Sequence, residues 1–199
     1  MSGMAEVVVD GRVLRGERNR QAIVDALLSL YDEGVLRPSA NEVAERAGVS
    51  VRSVHNHFAD MESLRAEVAS RQWGRIAPPT EPISPDLPLP RRIREVVDRR
   101  SALYEAITPV RRAAMLSVHE SPTIARRLTS VGRVLRKQLE GVFAPELARG
   151  DASLLDAIDL AVSWDAWERL RTQQRLGIAA AKRVLVLTLN ALLTKGNGK

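Results

Sequence analysis

The stretch from Ser39 to Phe58 limits the fold of this chain more than any other part of its sequence. Ser39 can cap a helix with its side-chain oxygen, and Glu42, three residues later, completes a capping box. Gly48 can adopt the left-handed conformation that ends a helix, and Ser50 can cap a second one. The sequence therefore predicts two short helices joined by a tight turn, which is the pattern of a helix-turn-helix.

The second of these helices has one face suited to burial and one suited to recognition. Successive residues advance by about 100° around a helix, so Val54 and Phe58 share an apolar side. Arg52 and Asn56 share the opposite side, where their side chains can form paired hydrogen bonds with guanine and adenine. The two capping serines stand at helix starts, whose free amides suit phosphate oxygens. The predicted DNA-contacting residues are Ser39, Ser50, Val51, Arg52, Ser53, His55, Asn56 and His57.

The segment from Glu17 to Val68 resembles the DNA-binding domain of the TetR family of transcriptional regulators. The resemblance rests on an amphipathic first helix, RNRQAIVDALLSLYDEG, on SANEVAERAGVS, on the HF of HNHF, and on DMESL before a further helix. It implies an all-α protein with a three-helix DNA-binding domain followed by a larger helical domain for ligand binding and dimerisation. It further implies a repressor that binds a palindromic operator as a homodimer and releases it when a small-molecule effector binds.

Two residues depart from the usual pattern of that family. The family usually has tyrosine where this chain has His55 and lysine where it has Met61, and both usual residues contact phosphate. The net charge of +6 does not compensate, because residues 1–76 hold ten arginines and no lysine against eleven acidic residues. These departures leave open an alternative, in which a helical dimer has weakened or lost operator binding and acts through a protein partner.

A basic segment precedes the first helix of the predicted domain. Residues 1–16 form a predicted arm, and the arginines in and next to it could reach phosphate or an adjacent minor groove. In that interpretation the arm supplies much of the salt-dependent affinity for DNA. An exposed and disordered tail is the alternative. The arginines concerned are Arg12, Arg15 and Arg18.

The rest of the chain has the pattern of helices interrupted by one proline-rich connector. The helix-turn-helix domain is predicted over residues 17–59, and the ligand-binding and dimerisation domain over residues 60–199. Six of the ten prolines lie in the connector at residues 77–90, where they exclude a helix. Further helices are predicted over residues 91–107, 109–118, 121–142, 151–174 and 178–193, which gives about nine in total.

The last two predicted helices carry more apolar residues than one core can use. A helix that is apolar nearly all round is buried on several sides, which points to contact with a second subunit. The family resemblance implies the same interface, formed by two helices from each subunit. A core formed within one chain is the alternative. The predicted interface residues are Leu154, Ile158, Trp164, Trp167, Val184, Leu185, Leu189 and Leu192.

The expected ligand pocket lies between the connector and these two helices. Four residues there have polar or adaptable side chains that could contact an effector in an otherwise apolar cavity. Each also has an ordinary explanation, such as a half-buried core tyrosine or an arginine that points to water. The candidates are Tyr104, Arg111, Met115 and His119.

Other classes of protein are not supported by the sequence. It has no Gly-x-Ser-x-Gly elbow, Gly-x-Gly-x-x-Gly turn or Walker loop, so we predict no catalytic residue, no cofactor and no enzyme activity. His55 and His57 point about 200° apart on a helix and cannot hold one metal ion. No apolar stretch reaches the roughly 18 residues that a membrane span needs. These absences fit the prediction of a cytoplasmic protein, and the family resemblance implies that its partners are duplex DNA, a second copy of itself and an effector.

Overall fold

A computed structural model of the chain describes residues 11–76 and 82–194. Within these ranges the chain forms ten α-helices and one π-helical turn, without any strand, and the predicted all-α fold is confirmed. The first four helices are α1 (Gly11–Asp32), α2 (Ala40–Ala47), α3 (Val51–His57) and α4 (Met61–Ile76). The others are α5 (Leu89–Met115), α6 (Pro122–Val142), α7 (Ala144–Leu147), α8 (Leu154–Ala161), α9 (Trp164–Glu168), the π-helical turn (Arg169–Gln173) and α10 (Ile178–Thr194).

The chain forms two compact units. Unit one combines the described part of Met1–Gln72 with Pro109–Ser121. Unit two combines the described parts of Trp73–Thr108 and Pro122–Lys199. Most of α4 and the end of α5 are therefore grouped with the helix-turn-helix, whereas the sequence predicted a second domain from residue 60 onward.

The apolar side of α1 forms the centre of unit one. Ile23, Val24 and Leu27 are fully buried, as the spacing of apolar residues in the sequence predicts. They belong to one cluster with Val43 of α2 and Leu64 of α4. This cluster packs α1 against α2 and α4, and the buried side chains of α3 pack against the same cluster.

α5 continues through Pro109, where the sequence predicted a break between two helices. Proline lacks the amide hydrogen that a helix interior uses, and it normally ends or kinks a helix. Val110 and Ala113, just beyond it, are buried in the core of unit one. Burial of these side chains stabilises the helical turns after the proline, and a local sequence pattern does not reveal such burial.

Two other helix boundaries also differ from the predicted ones. α1 begins at Gly11 rather than at Glu17, so the last part of the predicted arm is helical, while residues 1–10 lie outside the described residues. The helix predicted over residues 151–174 is divided at Ser163, whose hydroxyl accepts a hydrogen bond from the Ala166 amide at 3.1 Å. That cap starts α9 and competes with continuation of α8.

The proline-rich connector is shorter than predicted. Residues 77–81 lie outside the described residues, and α5 begins at Leu89, inside the predicted range of 77–90. Pro90 occupies the first turn of α5. The missing amide of proline has little cost there, because the first amides of a helix have no partner within it.

Unit two combines a large apolar core with a buried ion pair. Phe143 and Trp167 are fully buried in this core. Arg92 is only 4% exposed, and its guanidinium donates two hydrogen bonds of 2.7 Å to the Glu146 carboxylate and one of 2.8 Å to the Val142 carbonyl. Hydrogen bonding to Arg92 lowers the pKa of Glu146. The buried charge of Arg92 is therefore paired.

Replacing Glu146 with glutamine is expected to destabilise the protein by about 2 kcal/mol at pH 7, because Arg92 would stay buried without its charged partner. The pKa of Glu146 is lowered by folding, so its contribution is complete above the ordinary carboxyl pKa of about 4.3 and is lost as the pH falls through the folded value. Unfolding in urea at several pH values measures both effects.

The matched control for this variant is Glu95→Gln. Glu95 pairs at 3.1 Å with Arg91, whose side chain is 65% exposed, so the loss is expected to stay below about 1 kcal/mol. Equal losses for the two variants across the pH range would contradict the role given to the buried pair.

Candidate nucleic-acid interface

The turn between α2 and α3 is fixed by the caps that the sequence predicted. Ser39 accepts a hydrogen bond from the Glu42 amide at 3.3 Å, and the Glu42 carboxylate accepts one from the Ser39 amide at 2.8 Å. Hydrogen bonds from the backbone and the hydroxyl of Ser39 lower the pKa of Glu42. Gly48 has a φ of 66°, and Ser50 accepts a hydrogen bond from the Ser53 amide at 3.1 Å. The start and the end of each helix are therefore fixed by interactions between residues that are close in sequence.

The third helix, α3, buries one side and exposes the other. Val54 and Phe58 are 2% and 4% exposed and lie in the core of unit one. Arg52, His55 and Asn56 are exposed. Among the described residues, the side chains of Arg52 and Asn56 have no hydrogen-bond partner in the protein, so their polar groups are available to a ligand. The partly exposed residues of the helix are Val51, Ser53 and His57.

The starts of α2 and α3 differ in what they offer to a phosphate. The Ser39 hydroxyl donates a hydrogen bond of 2.7 Å to Glu42, so its donors are used inside the capping box next to a carboxylate. Ser50 is exposed and acts only as an acceptor in its cap. The hydroxyl hydrogen of Ser39 is therefore used within its own cap, whereas that of Ser50 is not used in its cap.

The predicted arginines of the arm lie in the first turns of α1. Arg12, Arg15 and Arg18 are helical and exposed. A Cβ placed on Gly16 would lie 3.9 Å from the His57 ring, so α1 passes close to the end of α3 at this residue. The described part of the predicted arm is therefore helical and not extended.

One contact to α3 was not predicted from the sequence. The Arg20 guanidinium lies 4.4 Å from the centre of the Phe58 ring and donates a hydrogen bond of 3.0 Å to the His57 carbonyl. The sequence does contain a signal for this contact. Arg20 precedes Ile23 and Leu27 by three and seven positions, so it continues the buried stripe of α1. A charged residue on a buried stripe indicates a partner elsewhere in the fold.

The start of α4 offers phosphate no cation. The Asp60 carboxylate accepts a hydrogen bond of 2.7 Å from the Ser63 amide and caps the helix, and this bond lowers the pKa of Asp60. Met61, at the position where the family resemblance leads us to expect lysine, is partly buried against the core of unit one. The methionine that departs from the family pattern is therefore a packed apolar side chain in the structure.

The four predicted pocket residues belong to different units. Tyr104 lies in unit two, where its side chain is buried and its hydroxyl donates a hydrogen bond of 2.8 Å to the Val162 carbonyl. Arg111, Met115 and His119 lie in unit one, and Met115 and His119 are exposed. Neither unit on its own brings the four together.

Most of the predicted dimer residues are buried in the core of unit two. Two apolar residues on the same helices are instead directed outward, namely Leu160 of α8, which is 72% exposed, and Leu187 of α10, which is 71% exposed. The periodicity of apolar residues had not separated these from the core positions. Leu154, Val184 and Leu192 are partly buried. The fully buried members of the predicted set are Ile158, Trp164, Trp167, Leu185 and Leu189.

Leu187 lies in a groove of about 430 Å³ between α5 and α10 of unit two. Val97 and Val186 add to its apolar lining. Polar residues also line the groove, and Lys182 among them pairs with Asp98 at 3.0 Å. An exposed leucine in an apolar groove suits contact with another apolar surface.

Neither metal-binding clusters nor membrane-spanning helices are found among the described residues. No three histidine, cysteine or acidic side chains in residues 11–76 and 82–194 are placed to hold a metal ion. No helix in the same ranges is long and apolar enough to cross a bilayer.

Comparison with known sequences gives one match, over the helix-turn-helix. Residues 23–68 match the sequence model of the bacterial regulatory proteins of the tetR family. The matched range includes the end of α1, all of α2 and α3, and the first half of α4. No curated protein sequence matches the chain.

Solved structures of regulators share the fold of the chain. A transcriptional regulator from Rhodococcus sp. RHA1 has a TM-score of 0.67 at 19% identity, with 90% of this chain and 96% of that chain covered. A regulator assigned to the TetR family from Mesorhizobium loti has a TM-score of 0.59 at 17% identity, with coverage of 91% and 98%. A TetR transcriptional regulator from Rhodococcus sp. RHA1 has a TM-score of 0.52 at 19% identity, with coverage of 89% and 97%. Residues 23–68 therefore match the helix-turn-helix of the bacterial regulatory proteins of the tetR family, and the chain shares the all-helical fold of these solved regulators.

Proposed function

We propose that this protein is a repressor that binds a palindromic operator as a homodimer and releases it when a small molecule binds unit two. The observation that carries the proposal is the outward side of α3, where Arg52 and Asn56 are exposed opposite a buried Val54 and Phe58. A helix held in this way by one side can enter the DNA major groove with the other. The match of residues 23–68 to the sequence model of the tetR family supports the same role.

The exposed side of α3 has the chemistry needed to distinguish bases. An arginine can donate two hydrogen bonds to guanine, and an asparagine can form a donor and acceptor pair with adenine. Arg52 and Asn56 are four positions apart, so they lie one turn apart on the same side of the helix. We infer that each copy of α3 reads neighbouring base pairs with these two side chains.

Phosphate contacts would come from the surroundings of α3. Arg12, Arg15 and Arg18 are exposed on the neighbouring turns of α1, and Ser50 stands at the start of α3. Contacts of this kind set the position of a protein on DNA and give binding its salt dependence. Acidic residues slightly outnumber basic ones in unit one. Attraction to the phosphate backbone would therefore have to come from these few cations in the surroundings of α3.

Arg52→Met is expected to lower operator affinity by about tenfold to a hundredfold and to relax the base preference at one position of each half-site. Fluorescence anisotropy on duplexes with single base-pair changes measures both quantities. Arg46→Met is the control, because the Arg46 guanidinium is held by the Glu33 carboxylate at 2.6 Å on another side of the domain. A loss that is uniform over all duplexes would contradict base reading by Arg52.

The homodimer is proposed to form through α8 and α10. Leu160 and Leu187 are large apolar side chains exposed on these two helices, and such exposure has a cost in water unless another surface covers it. In a twofold dimer each patch meets its counterpart on the second copy, so two leucines in each copy give four buried side chains. Two DNA-binding units then face a palindrome with the same symmetry.

Leu187→Glu is expected to shift the protein from dimer to monomer, because a carboxylate would be placed in an apolar interface. Sedimentation velocity at micromolar concentration measures the change. Val134→Glu is the matched control, since Val134 is 49% exposed on α6, outside the proposed interface. A dimer that survives Leu187→Glu, or that is lost equally in the control, would remove these helices from the interface.

We further propose that a small-molecule effector controls binding of the dimer to the operator. A ligand can release the operator only if it prefers a conformation in which the two copies of α3 no longer match the half-sites. α4 and α5 each contribute residues to both units, so they are the elements through which a change in unit two would reach α3. We place this switch in the cytoplasm, where operator DNA and small molecules are both accessible.

A second candidate function is a dimer that binds DNA weakly and acts through a protein partner. Met61 favours it, because a packed thioether stands where the family usually has a lysine that contacts phosphate. His55, in place of the usual tyrosine, is exposed on the reading side of α3. Both positions reduce the generic attraction to the DNA backbone that a TetR-family protein usually has.

Met61→Lys separates the two candidates. If the protein is an operator-binding regulator, the added cation is expected to raise affinity severalfold on all duplexes alike and to steepen the salt dependence by about one phosphate contact. Met115→Lys is the matched control, since Met115 is an exposed methionine of unit one outside the helix-turn-helix. Failure of both the wild type and Met61→Lys to bind any duplex would favour the protein-partner alternative.

A further inference from the structure

Arg20 of α1 contacts the carboxyl-terminal end of α3 in two ways. Its guanidinium carbon lies 4.4 Å from the centre of the Phe58 ring, and its Nη1 donates a hydrogen bond of 3.0 Å to the His57 carbonyl. His57 is the last residue of α3, and Phe58 is its carboxyl-terminal cap. One side chain of α1 therefore holds both the last carbonyl of α3 and the aromatic ring that anchors it.

The end of α3 needs such a contact for physical reasons. A helix of seven residues has little stability of its own, and its last carbonyls have no partner within the helix. A cation near those carbonyls is favoured by the helix dipole. A guanidinium can stack on an aromatic ring and donate in its own plane at the same time, which a lysine ammonium cannot do.

Glu67 of α4 holds the same guanidinium from the other side. Arg20 Nη2 lies 3.4 Å from one Glu67 carboxylate oxygen, and Arg71 Nε lies 3.0 Å from the other. Arg71 also donates a hydrogen bond to the Gln21 side chain. Side chains of α1 and α4 thus form a connected group that ends on the last residue of α3.

We propose that Arg20 is a positioning residue for α3, and that Glu67 keeps its guanidinium oriented toward the His57 carbonyl. The inference rests on the proposed DNA-binding role of α3. In this role Arg20 acts through α3 and not on DNA, since its Nη1 donates to the His57 carbonyl and its Nη2 pairs with Glu67 within unit one. Its effect on DNA recognition comes through the angle and rigidity of α3, on which the alignment of Arg52 and Asn56 with base edges depends.

A positioning role and a phosphate contact have different signatures. Removal of a phosphate contact weakens binding to every duplex alike and reduces the salt slope. Removal of a positioning residue lowers the ratio of operator affinity to affinity for unrelated duplex and leaves the salt slope on unrelated duplex unchanged. Arg20→Met keeps the aliphatic stem over the Phe58 ring but removes the charge, the hydrogen bond to the His57 carbonyl and the ion pair with Glu67.

The test uses the full chain and two duplexes of equal length, an operator selected from genomic fragments and an unrelated sequence. Arg20→Met is expected to lower the specificity ratio about tenfold without change in the salt slope. Arg20→Lys should recover part of that loss, and Glu67→Gln should lose less than Arg20→Met. Arg46→Met, which breaks an exposed ion pair with Glu33 in the same unit, should leave the ratio unchanged. A uniform loss with a reduced slope, or an unchanged ratio, would overturn the proposal.

A second readout does not need DNA. The Phe58 amide donates a hydrogen bond of 2.9 Å to the Val54 carbonyl in the last turn of α3. Arg20→Met is expected to speed hydrogen exchange at this amide about tenfold, while the amides of Ile23 and Leu27 in α1 exchange as in the wild type. Equal acceleration at all three amides would show a general loss of stability, and no acceleration would show that Arg20 does not hold α3. Either result overturns the proposal, even if the wild type binds no duplex and the proposed function itself fails.

Discussion

Burial of Val54 and Phe58 is the interaction on which the DNA-facing surface of this protein depends. α3 has seven residues, and its helical state cannot be maintained by its own backbone bonds in water. Full burial of an apolar side chain of this kind contributes about 1.5 to 3 kcal/mol, which is more than the roughly 1 kcal/mol that is typical of a single cap. Because both side chains lie on one side of the helix, the opposite side is left to solvent. The caps at Ser50 and Phe58 then fix where that exposed side starts and ends.

Local charge placement explains how a domain with slightly more acidic than basic residues can approach DNA. Several of its carboxylates are already used within the domain. Glu42 is bound by Ser39, Glu33 by Arg46, and Glu67 by arginines of α1 and α4. Exposed arginines, by contrast, lie in the first turns of α1, which approaches the end of α3 at Gly16. The electrostatic field at the reading surface therefore depends on this placement, and the net charge of the segment does not describe it.

The parts of the fold that local sequence determines were predictable. The capping box at Ser39, the left-handed Gly48 and the apolar stripe of α1 each depend on residues within one or two helical turns, and all three agree with the structure. Long-range packing was not predictable in the same way. The contact of Arg20 with His57 joins residues 37 positions apart. The continuation of α5 beyond Pro109 depends on burial in unit one, which no local pattern reports.

The apolar helices of unit two show a further limit of sequence patterns. Periodicity identifies apolar sides of a helix, but it does not tell whether the covering atoms belong to the same chain or to a second copy. Trp167 of α9 and Leu185 of α10 turn inward into the core of unit two, whereas Leu160 of α8 and Leu187 of α10 face outward. Only three-dimensional packing separates these two sets. Packing also decides the role of Tyr104, because its hydroxyl donates a hydrogen bond to the Val162 carbonyl within the core.

The most direct measurement is the selection of bound fragments from genomic DNA with the full-length protein, carried out in parallel with Asn56→Ala. If the exposed side of α3 reads bases from two symmetric copies, the wild type will enrich fragments that contain an inverted repeat with half-site centres about 34 to 36 Å apart. Asn56→Ala will then lose the preference for adenine at one position of each half-site. Fragments without an inverted repeat, no enrichment over the input, or the same base preference in both proteins would contradict the assignment of α3 as the DNA-reading helix.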